Sequence, residues 1–522
     1  MTRTAAEISA GLEPARPGWP IPAGERVHVL GASGAAGAAA LLLAARTGAA
    51  ASGCDPGGPG QYTPPLAGAG VPLAWAHDPA HVADGDRALV DRLAVTKALT
   101  SVQPDHPELL AARRLGIPAT SLQQLIADVA ATRRTRLVGV AGTHGKSTTT
   151  GWLVHLLAAS GRDPTAFVGA LLPAVLAGGG LPSPVRIGAG RDFVVEADEY
   201  AGNFDPYRPA LGLLTNADWD HPDVFATLED VLATFEGWIR AFDGAGETPV
   251  LVANAGDPGV ARLLLRLRDW PGRLVTVALH GEPGGEPGIA PAFYSAAGSA
   301  ATVVARARVG AGGGSLLIVD GLASGTLEAR ITLPGRHTAE NGLLALAGAV
   351  AAGATPEAAS AELGSFTGVG RRLEVKGEVG GVTVLDDYGH HPTAIAVTLD
   401  AVRQAHPGRR TWAVYEPLTY HRTTALLDAF AAVLARADRV AIADIWAGRD
   451  PDTSVASAAG LAEAVRQAGG DPGAAAPGSV EATADFLAGA VAPGDVVLVM
   501  GGGRSYVIAE RLVRLLRERA GG

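Results

Sequence analysis

The stretch that most constrains this chain runs from Val138 to Thr150: Val-Gly-Val-Ala-Gly-Thr-His-Gly-Lys-Ser-Thr-Thr-Thr. Apolar residues from Leu137 to Ala141 predict a short buried strand. Trp152, Leu153, Leu156 and Leu157 predict a helix over Lys146–Ser160. Between them lies a glycine-flanked turn, Gly142-Thr143-His144-Gly145-Lys146-Ser147. Such a turn gathers backbone N–H groups and a helix N-terminus at one point, which suits phosphate. Lys146 is then placed to reach terminal phosphates and the Ser147 hydroxyl to hold Mg²⁺, with the run Thr148-Thr149-Thr150 capping the helix. The spacing is shorter than the Gly-x4-Gly-Lys-Ser form, which would need glycine where Val140 stands. A glycine-rich connection carrying a surface lysine has the same composition, but the strand before and the helix after favour a nucleotide site.

A chain of 522 residues has room for about three domains at ~100–200 residues each. The expected fold is α/β throughout. Residues 1–133 read as a Rossmann-like domain, with a strand at Val27–Leu30, an Ala/Leu helix to Arg46 and a strand near Ala49–Ser52. Residues 134–366 read as a phosphate-loop domain with a mostly parallel sheet. Its expected strands are Leu137–Ala141, Phe193–Glu196, Leu211–Thr215, Pro249–Ala253 and Leu274–Ala278, and its Gly-rich segment His280–Leu333 is expected to form an antiparallel edge. Residues 367–522 read as a doubly wound α/β domain. Alternating strands and helices imply ligand sites at the strand C-termini.

Composition narrows the function classes. A net charge of −10 and the lack of a basic patch argue against nucleic acid. The Ala35–Ala45 stretch is too short to span a bilayer, and Met1–Gly24 carries no apolar signal segment. Cys54 is the only cysteine, so no intrachain disulfide forms. A cytoplasmic protein, monomeric or homodimeric, is expected.

Several further clusters carry chemistry. Gly31-Ala32-Ser33-Gly34-Ala35-Ala36-Gly37 follows the first strand, and Asp55 lies about 20 residues past the glycines, as in dinucleotide-type folds. Ser33 breaks the Gly-x-Gly-x-x-Gly pattern, so a packing role for these glycines is equally open. Glu196-Ala197-Asp198-Glu199 ends an apolar run, and a carboxylate there is placed to bind Mg²⁺. Asn216-Ala217-Asp218-Trp219-Asp220-His221 follows another strand and can orient a metal or phosphate oxygens. Asp386-Asp387-Tyr388-Gly389-His390-His391 crowds carboxylates, an aromatic ring and imidazoles at a third strand end.

These motifs resemble those of the Mur ligase family, over about residues 27–515. Gly-Thr-His-Gly-Lys-Ser-Thr at 142–148 is close to the family signature, and Asn-x-x-x-Asp-His at 216–221 is a second. The resemblance implies an ATP- and Mg²⁺-dependent carboxylate–amine ligase. It implies ATP contacts from Gly142, Thr143, His144, Gly145, Lys146, Ser147, Thr148, Asn341, Arg372, Asp387 and Tyr388. It implies metal contacts from Ser147, Glu196 and His221, and catalytic roles for Lys146, Glu196, His221, Arg372 and His390. Substrate contacts are implied for Gly31, Ser33, Gly34, Asp55, His390 and Arg422.

Within the family the string Asp386–Thr393 is nearest to members that join L-alanine to the carboxylate of UDP-N-acetylmuramate. The partners are therefore small molecules. Ser33 and Ala36 stand where such members have glycine, and Leu418 and Thr419 where they have His and Arg. Ala394 replaces a Glu. These departures leave open a different amine, as in peptide recycling, a different carboxylate, or a nucleotide-binding relative that no longer ligates.

Overall fold

The computed structural model describes residues 3–244, 246–280, 301–309, 313–447, 450 and 452–521. The chain divides into two compact units. The first comprises Met1–Arg308, Leu316–Arg330 and Glu340–Val369, and the second Val309–Ser315, Ile331–Ala339 and Gly370–Gly522.

The N-terminal part of the first unit begins with the single turn α1 (Ala5–Ile8). Strand β1 (Arg26–Leu30), helix α2 (Ala35–Arg46) and strand β2 (Ala50–Cys54) form the expected βαβ start. Helix α3 (Pro64–Gly68), β3 (Leu73–Ala74), the small hairpin β4 (Ala83–Asp84) and β5 (Arg87–Ala88), and β6 (Arg92–Val95) follow. Helices α4 (Lys97–Thr100) and α5 (Pro107–Arg114), strand β7 (Ala119–Ser121) and helix α6 (Leu122–Thr132) complete it. The sheet order is β3-β2-β1-β6-β7 with every pair parallel. The order reverses beside β1, so the loop after β1 opens at the switch point where α/β sheets bind ligands.

The central sheet has ten strands in the order β10-β9-β11-β8-β12-β13-β14-β15-β16-β17. They are β8 (Arg136–Ala141), β9 (Thr165–Leu172), β10 (Ser183–Arg186), β11 (Asp192–Glu196), β12 (Leu211–Leu214), β13 (Val250–Asn254), β14 (Arg273–His280), β15 (Ala301–Val309), β16 (Ser315–Asp320) and β17 (Leu327–Ile331). Helices α7 (Lys146–Ala159), α8 (Leu228–Arg240), α9 (Pro258–Arg266), α10 (Arg336–Ala352) and α11 (Pro356–Glu362) accompany them. Strands β9 to β15 pair in parallel, while β10 is antiparallel to β9. The expected antiparallel edge after His280 is corrected at its first strand, because β15 runs parallel to β14. The stretch 281–300 of that expectation lies outside the described residues.

In the second unit the order is β18-β19-β23-β20-β21-β22. These are β18 (Glu374–Val379), β19 (Val382–Asp387), β20 (Thr411–Glu416), β21 (Arg439–Ala443), β22 (Ala475–Gly478) and β23 (Val496–Gly501). The helices are α12 (Pro392–Ala405), α13 (Tyr420–Ala425), α14 (Leu427–Leu434), α15 (Ala458–Gln467), α16 (Val480–Ala490) and α17 (Ser505–Gly521). Only β18 is antiparallel to its neighbour. Apolar cores line both faces of the sheet, around Tyr415, Phe430 and Leu498 on one side and Trp412, Val497 and Leu512 on the other. That is why its parallel strands read as unbroken apolar runs.

Candidate active site

Strand order decides which motifs meet. Strands β11 and β12 flank β8, with Glu196 paired to Val140 and Leu214 to Ala141. The acidic tetrad after β11 and the Asn216–His221 segment after β12 therefore stand on either side of the glycine-flanked loop.

That loop is built from local constraints. Gly142 has φ +134°, and a Cβ there would lie 2.0 Å from Thr215 Oγ1. Gly145 (φ +79°) precedes α7 in the left-handed region, and a Cβ would meet Asn341 Oδ1 at 2.6 Å. Asn341 thus packs directly on the loop. The threonine run does not cap α7. The cap is Gly145, with no side-chain bond, and Thr149 and Thr150 are buried within the helix. Thr150 Oγ1 donates to Lys146 O at 2.7 Å.

The segment after β12 fastens this loop. His144 N–H donates to Asn216 Oδ1 (2.8 Å), while Thr215 Oγ1 and Asn216 Nδ2 donate back to His144 O (2.6 and 2.9 Å). Thr143 Oγ1 donates to Asp218 O (3.0 Å) and accepts from Asp218 N–H (2.9 Å). The Asn216 side chain and the Asp218 backbone therefore fasten the loop through His144 and Thr143.

Lys146 points into the acidic end of β11. Its Nζ donates to Glu199 Oε2 at 2.8 Å and to the carbonyls of Gly142 and Thr143 at 2.6 and 3.2 Å, and it lies 3.8 Å from Asp198 Oδ1. Burial disfavours its charge, but Glu199 and Asp198, with Glu196 beyond, outweigh this and hold the ammonium above its ordinary range. Burial, with Asp198 adding to it, pushes Glu199 up to about 7 against the pull of Lys146.

Ser147 Oγ donates to Glu196 Oε1 at 3.1 Å, and Glu196 Oε2 accepts from Gly169 N–H at 2.7 Å. A ligand atom from each of Asp198, Glu199 and His221 falls within 4.8 Å of the others. His221 is held at φ +56°, with its ring edge-on to Tyr200 at 4.9 Å. A hydroxyl and carboxylates at one strand end are oxygen donors of the kind Mg²⁺ prefers. Sequence reasoning placed Glu196, Ser147 and His221 here but gave Asp198 and Glu199 no role. Their position in the tetrad, three and two residues before a sharp turn at Ala201 (φ +49°), was the available signal.

At the first loop, Gly31 has φ +91°, and a Cβ on Gly37 would lie 2.0 Å from Gly31 O, so packing requires glycine there. Gly34 caps α2, and a Cβ there would find its nearest neighbour at 3.9 Å. Ser33 N–H donates to Asp55 Oδ2 (2.9 Å) and Ser33 Oγ to Gly58 O (2.8 Å). Asp55 also accepts from Gly57 N–H at 2.9 Å. Gly31, Ser33, Gly34 and Asp55 do come together, with Asp55 bonded to the loop.

In the second unit, the ends of β19, β23 and β20 lie side by side, with Asp387 paired to Met500 and Gly501 to Glu416. Arg371 is buried, donates to Gly501 O and Ser505 Oγ (both 2.7 Å), and has Nε 3.3 Å from Asp386 Oδ2. Burial pushes Asp386 up to about 6 despite Arg371 and Lys376. Asp387 accepts from Leu373 N–H (2.9 Å) and Gly389 N–H (2.7 Å), so it orders the turn.

The Arg372 guanidinium lies 4.9 Å over the Tyr388 ring, and that ring is edge-on to His390 at 5.2 Å. Arg372, Tyr388 and His390 thus form one contiguous set, the guanidinium on the ring face and the imidazole edge-on to it. Arg371 (φ +57°) and Leu373 (φ +49°) bracket Arg372 in the left-handed region, as Thr419 (φ +62°) precedes α13 with its buried Arg422. Such residues cost ~1–3 kcal/mol each and persist where surrounding bonds fix them. Leu418 packs against Gly502, whose Cβ would lie 3.0 Å from Leu418 Cδ2.

Comparison with known proteins agrees with this geometry. Residues 26–134 match the model of the Mur ligase family catalytic domain, 140–349 the Mur ligase middle domain, and 371–503 the Mur ligase glutamate ligase domain. The chain is 36% identical over 495 residues to UDP-N-acetylmuramate–L-alanine ligase of Kineococcus radiotolerans, covering 95% of this chain and 97% of that one. It is 34% identical over 510 residues to the ligase of the same name from Mycobacterium avium, covering 95% and 96%. Among solved structures, the UDP-N-acetylmuramate–alanine ligase of Thermotoga maritima superposes with a TM-score of 0.75 at 21% identity, over 95% of this chain and all of that one. A murein peptide ligase of Psychrobacter arcticus gives 0.67 at 24%, over 94% and 99%. The chain belongs to the Mur ligase family and is, by that kinship, an ATP-dependent, amide-forming ligase.

Proposed function

We propose that this chain joins L-alanine to the carboxylate of UDP-N-acetylmuramate at the expense of ATP, in the cytoplasm, as a step in peptidoglycan precursor synthesis. The observation that carries the reading is the Lys146–Ser147–Glu196–Glu199 cluster on one phosphate-type loop, in a chain aligned over 95% of its length with ligases of that name.

The reaction is phosphoryl transfer followed by amide formation. The substrate carboxylate oxygen attacks the γ-phosphorus of ATP, and ADP leaves. The amine nitrogen then attacks the acyl carbon, the phosphate departs with the acyl oxygen, and the amine gives up a proton. Phosphoryl transfer needs positioning and charge neutralisation more than covalent help.

The loop N–H groups and Lys146 serve this end, the ammonium exchanging Glu199 for the β/γ-phosphates. Ser147 and Glu196 are the residues fitted to hold one Mg²⁺, and His221 with Asp198 and Glu199 a second. When bound, Mg²⁺ supplies charge neutralisation on the phosphates. In the C-terminal domain, Arg372 offers a planar fork to phosphate, Asp387 keeps the turn shaped for the nucleotide, and His390 serves the incoming amine. Asn341, packed on Gly145, lies at the position that faces adenine in the family. Gly31, Ser33 and Gly34 offer the opening for the UDP pyrophosphate.

The test is phosphate release from purified chain with ATP, Mg²⁺ and UDP-N-acetylmuramate, with each amino acid in turn. Release that requires both the UDP-sugar and L-alanine supports the reading. Release with a peptide amine in place of L-alanine would move the chain to peptide recycling, and would give Leu418 and Thr419 their meaning.

A further inference from the structure

Outside the nucleotide site, four of the chain's histidines and its only cysteine gather in the N-terminal domain around one buried carboxylate. His28 on β1 and Cys54 on β2 are brought together by strand register, with His28 opposite Ser52 and Leu30 opposite Cys54. Glu108 comes from the first turn of α5, which His106 caps, and His77 and His81 from the segment between β3 and β4. Cys54 and Glu108 are fully buried and His28 nearly so.

The spacing of the donor atoms is informative. Cys54 Sγ lies 3.3 Å from His28 Nε2 and 3.4 Å from Glu108 Oε1. Glu108 Oε1 lies 3.2 Å from His81 Nδ1, and Oε2 3.7 Å from His28 Nε2. One atom from each of His28, Cys54, His81 and Glu108 lies within 4.8 Å of all the others. Bonds of ~2.0–2.3 Å from one tetrahedral ion put its ligands roughly 3.3–3.8 Å apart. The Cys54–His28 spacing, and the Cys54–Glu108 and His81–Glu108 spacings through the one oxygen Oε1, are therefore close to edges of such a tetrahedron, while His28 meets the carboxylate through Oε2.

Charge gives the second argument. A fully buried carboxylate is costly unless it is paired, hydrogen-bonded, neutralised or bound to a metal. Among the described residues the ion-pair partners of Glu108 are His28, His77 and His81. Orientation gives the third. His28 presents Nε2 to the cluster while its Nδ1 lies 2.8 Å from Ser52 Oγ, and Glu108 Oε1 also accepts from Asp78 N–H at 2.8 Å. An imidazole fixed through its other nitrogen is how proteins orient metal ligands.

We propose that His28, Cys54, His81 and Glu108 bind a divalent ion of the zinc class, which ties β1, β2, the segment before β4 and α5 together. His77, 3.2 Å from Cys54 Sγ, lines the same site. On binding, the thiol proton leaves to solvent. Two anionic ligands and two neutral imidazoles then neutralise the dication. Thiolate and imidazole suit zinc and not Mg²⁺, so this site is chemically separate from the oxygen donors around Ser147.

The test uses the untagged full-length chain. Metal content after purification without chelators is expected at about one zinc per chain. Cobalt titrated into chelator-stripped protein should give the thiolate-to-cobalt charge-transfer band and the intense visible bands of a tetrahedral site, abolished by zinc and untouched by excess Mg²⁺. Cys54→Ser should lose the charge-transfer band. His81→Ala, at a part-exposed position, should fold and bind zinc at least tenfold more weakly, and Ser52→Ala about tenfold more weakly. The proposal is overturned if folded wild-type chain gives no thiolate–cobalt band, or if bound zinc is unchanged in both Cys54→Ser and His81→Ala. None of these readouts depends on ligase activity.

Discussion

Two strand-to-helix loops in the first unit look alike in sequence and differ in what they offer a ligand. Both follow a buried parallel strand, and both hold glycines at positive φ, Gly31 in one and Gly142 and Gly145 in the other. The first has no charged side chain of its own. Its nearby acid, Asp55, is bonded to the Ser33 and Gly57 amides. The second ends in Lys146, held 2.8 Å from Glu199, with Ser147 on Glu196. A glycine pattern therefore defines a space, and the side chains at its rim decide whether highly charged phosphates are neutralised there. This accords with a first loop that seats a pyrophosphate through backbone alone and a second that performs transfer.

The sharpest break of the comparison is Lys146→Ala. It removes the cation of the second loop, and kcat/KM for ligation is expected to fall about 10²–10³-fold or more, the range for losing one fixed donor to developing charge. Circular dichroism should be unchanged. Turnover near wild type in the folded variant would end the assignment of Lys146.

Glu196→Gln comes next. It keeps the shape and the bond from Gly169 N–H but removes the charge beside Ser147. The Mg²⁺ concentration for half-maximal activity should rise roughly 10–100-fold, with activity recovering at high Mg²⁺. Full activity with an unchanged Mg²⁺ requirement would show that Glu196 acts only by holding Gly169, the bond that Gln retains.

Gly37→Ala and Gly145→Ala separate packing from chemistry. A Cβ added at Gly37 would sit 2.0 Å from a backbone carbonyl, a clash that only backbone movement relieves, so ~1–3 kcal/mol of stability should be lost. A Cβ added at Gly145 would meet a side-chain end, Asn341 Oδ1, at 2.6 Å, and the left-handed backbone there adds ~1–2 kcal/mol. Denaturant unfolding should therefore show comparable losses. ATP affinity, measured by calorimetry, should fall only for Gly145→Ala. Equal losses of ATP affinity would mean that the two loops are coupled rather than distinct.

Much of this contrast was legible in the sequence. The second loop was found because Gly-Thr-His-Gly-Lys-Ser-Thr carries a charge, a hydroxyl and glycines at fixed spacing, each with its own chemical reason. The strands β8, β11, β12 and β19 were found because parallel strands buried on both faces leave apolar runs. Strands β9, β10, β18 and β22 were missed. Glu374–Val379 and Ala475–Gly478 lie at sheet edges, where polar residues and glycine dilute the pattern. No single helix runs from Tyr420 to Leu434, since Leu426 leaves the helical region between α13 and α14. The fastening of the loop by the Asn216 side chain and the Asp218 backbone was not legible, because a segment that ties a loop and one that meets a ligand have the same composition. The His28–Cys54–His81–Glu108 cluster was invisible for another reason: its members are 26, 27 and 27 residues apart in sequence, and only the β1–β2 register and the fold of the segment before α5 join them.

The finest test concerns the first loop alone. Gly34 has an ordinary backbone conformation, φ −79°, and a Cβ there would approach nothing closer than Gly31 O at 3.9 Å. Gly34→Ala should therefore change folding stability by no more than ~0.5 kcal/mol, as for any site free of a named packing or backbone penalty. A methyl at the N-cap of α2 nonetheless occupies the place where a backbone-bound pyrophosphate must come close. KM for UDP-N-acetylmuramate should then rise roughly tenfold, about 1.4 kcal/mol, with kcat and the KM for ATP unchanged. A stable variant with unaltered KM would mean that the first loop's glycines serve α2 packing only, and that the sugar nucleotide is held elsewhere. Because Gly34 is neither strained nor crowded, any effect on KM comes from the space that the chain leaves for its substrate.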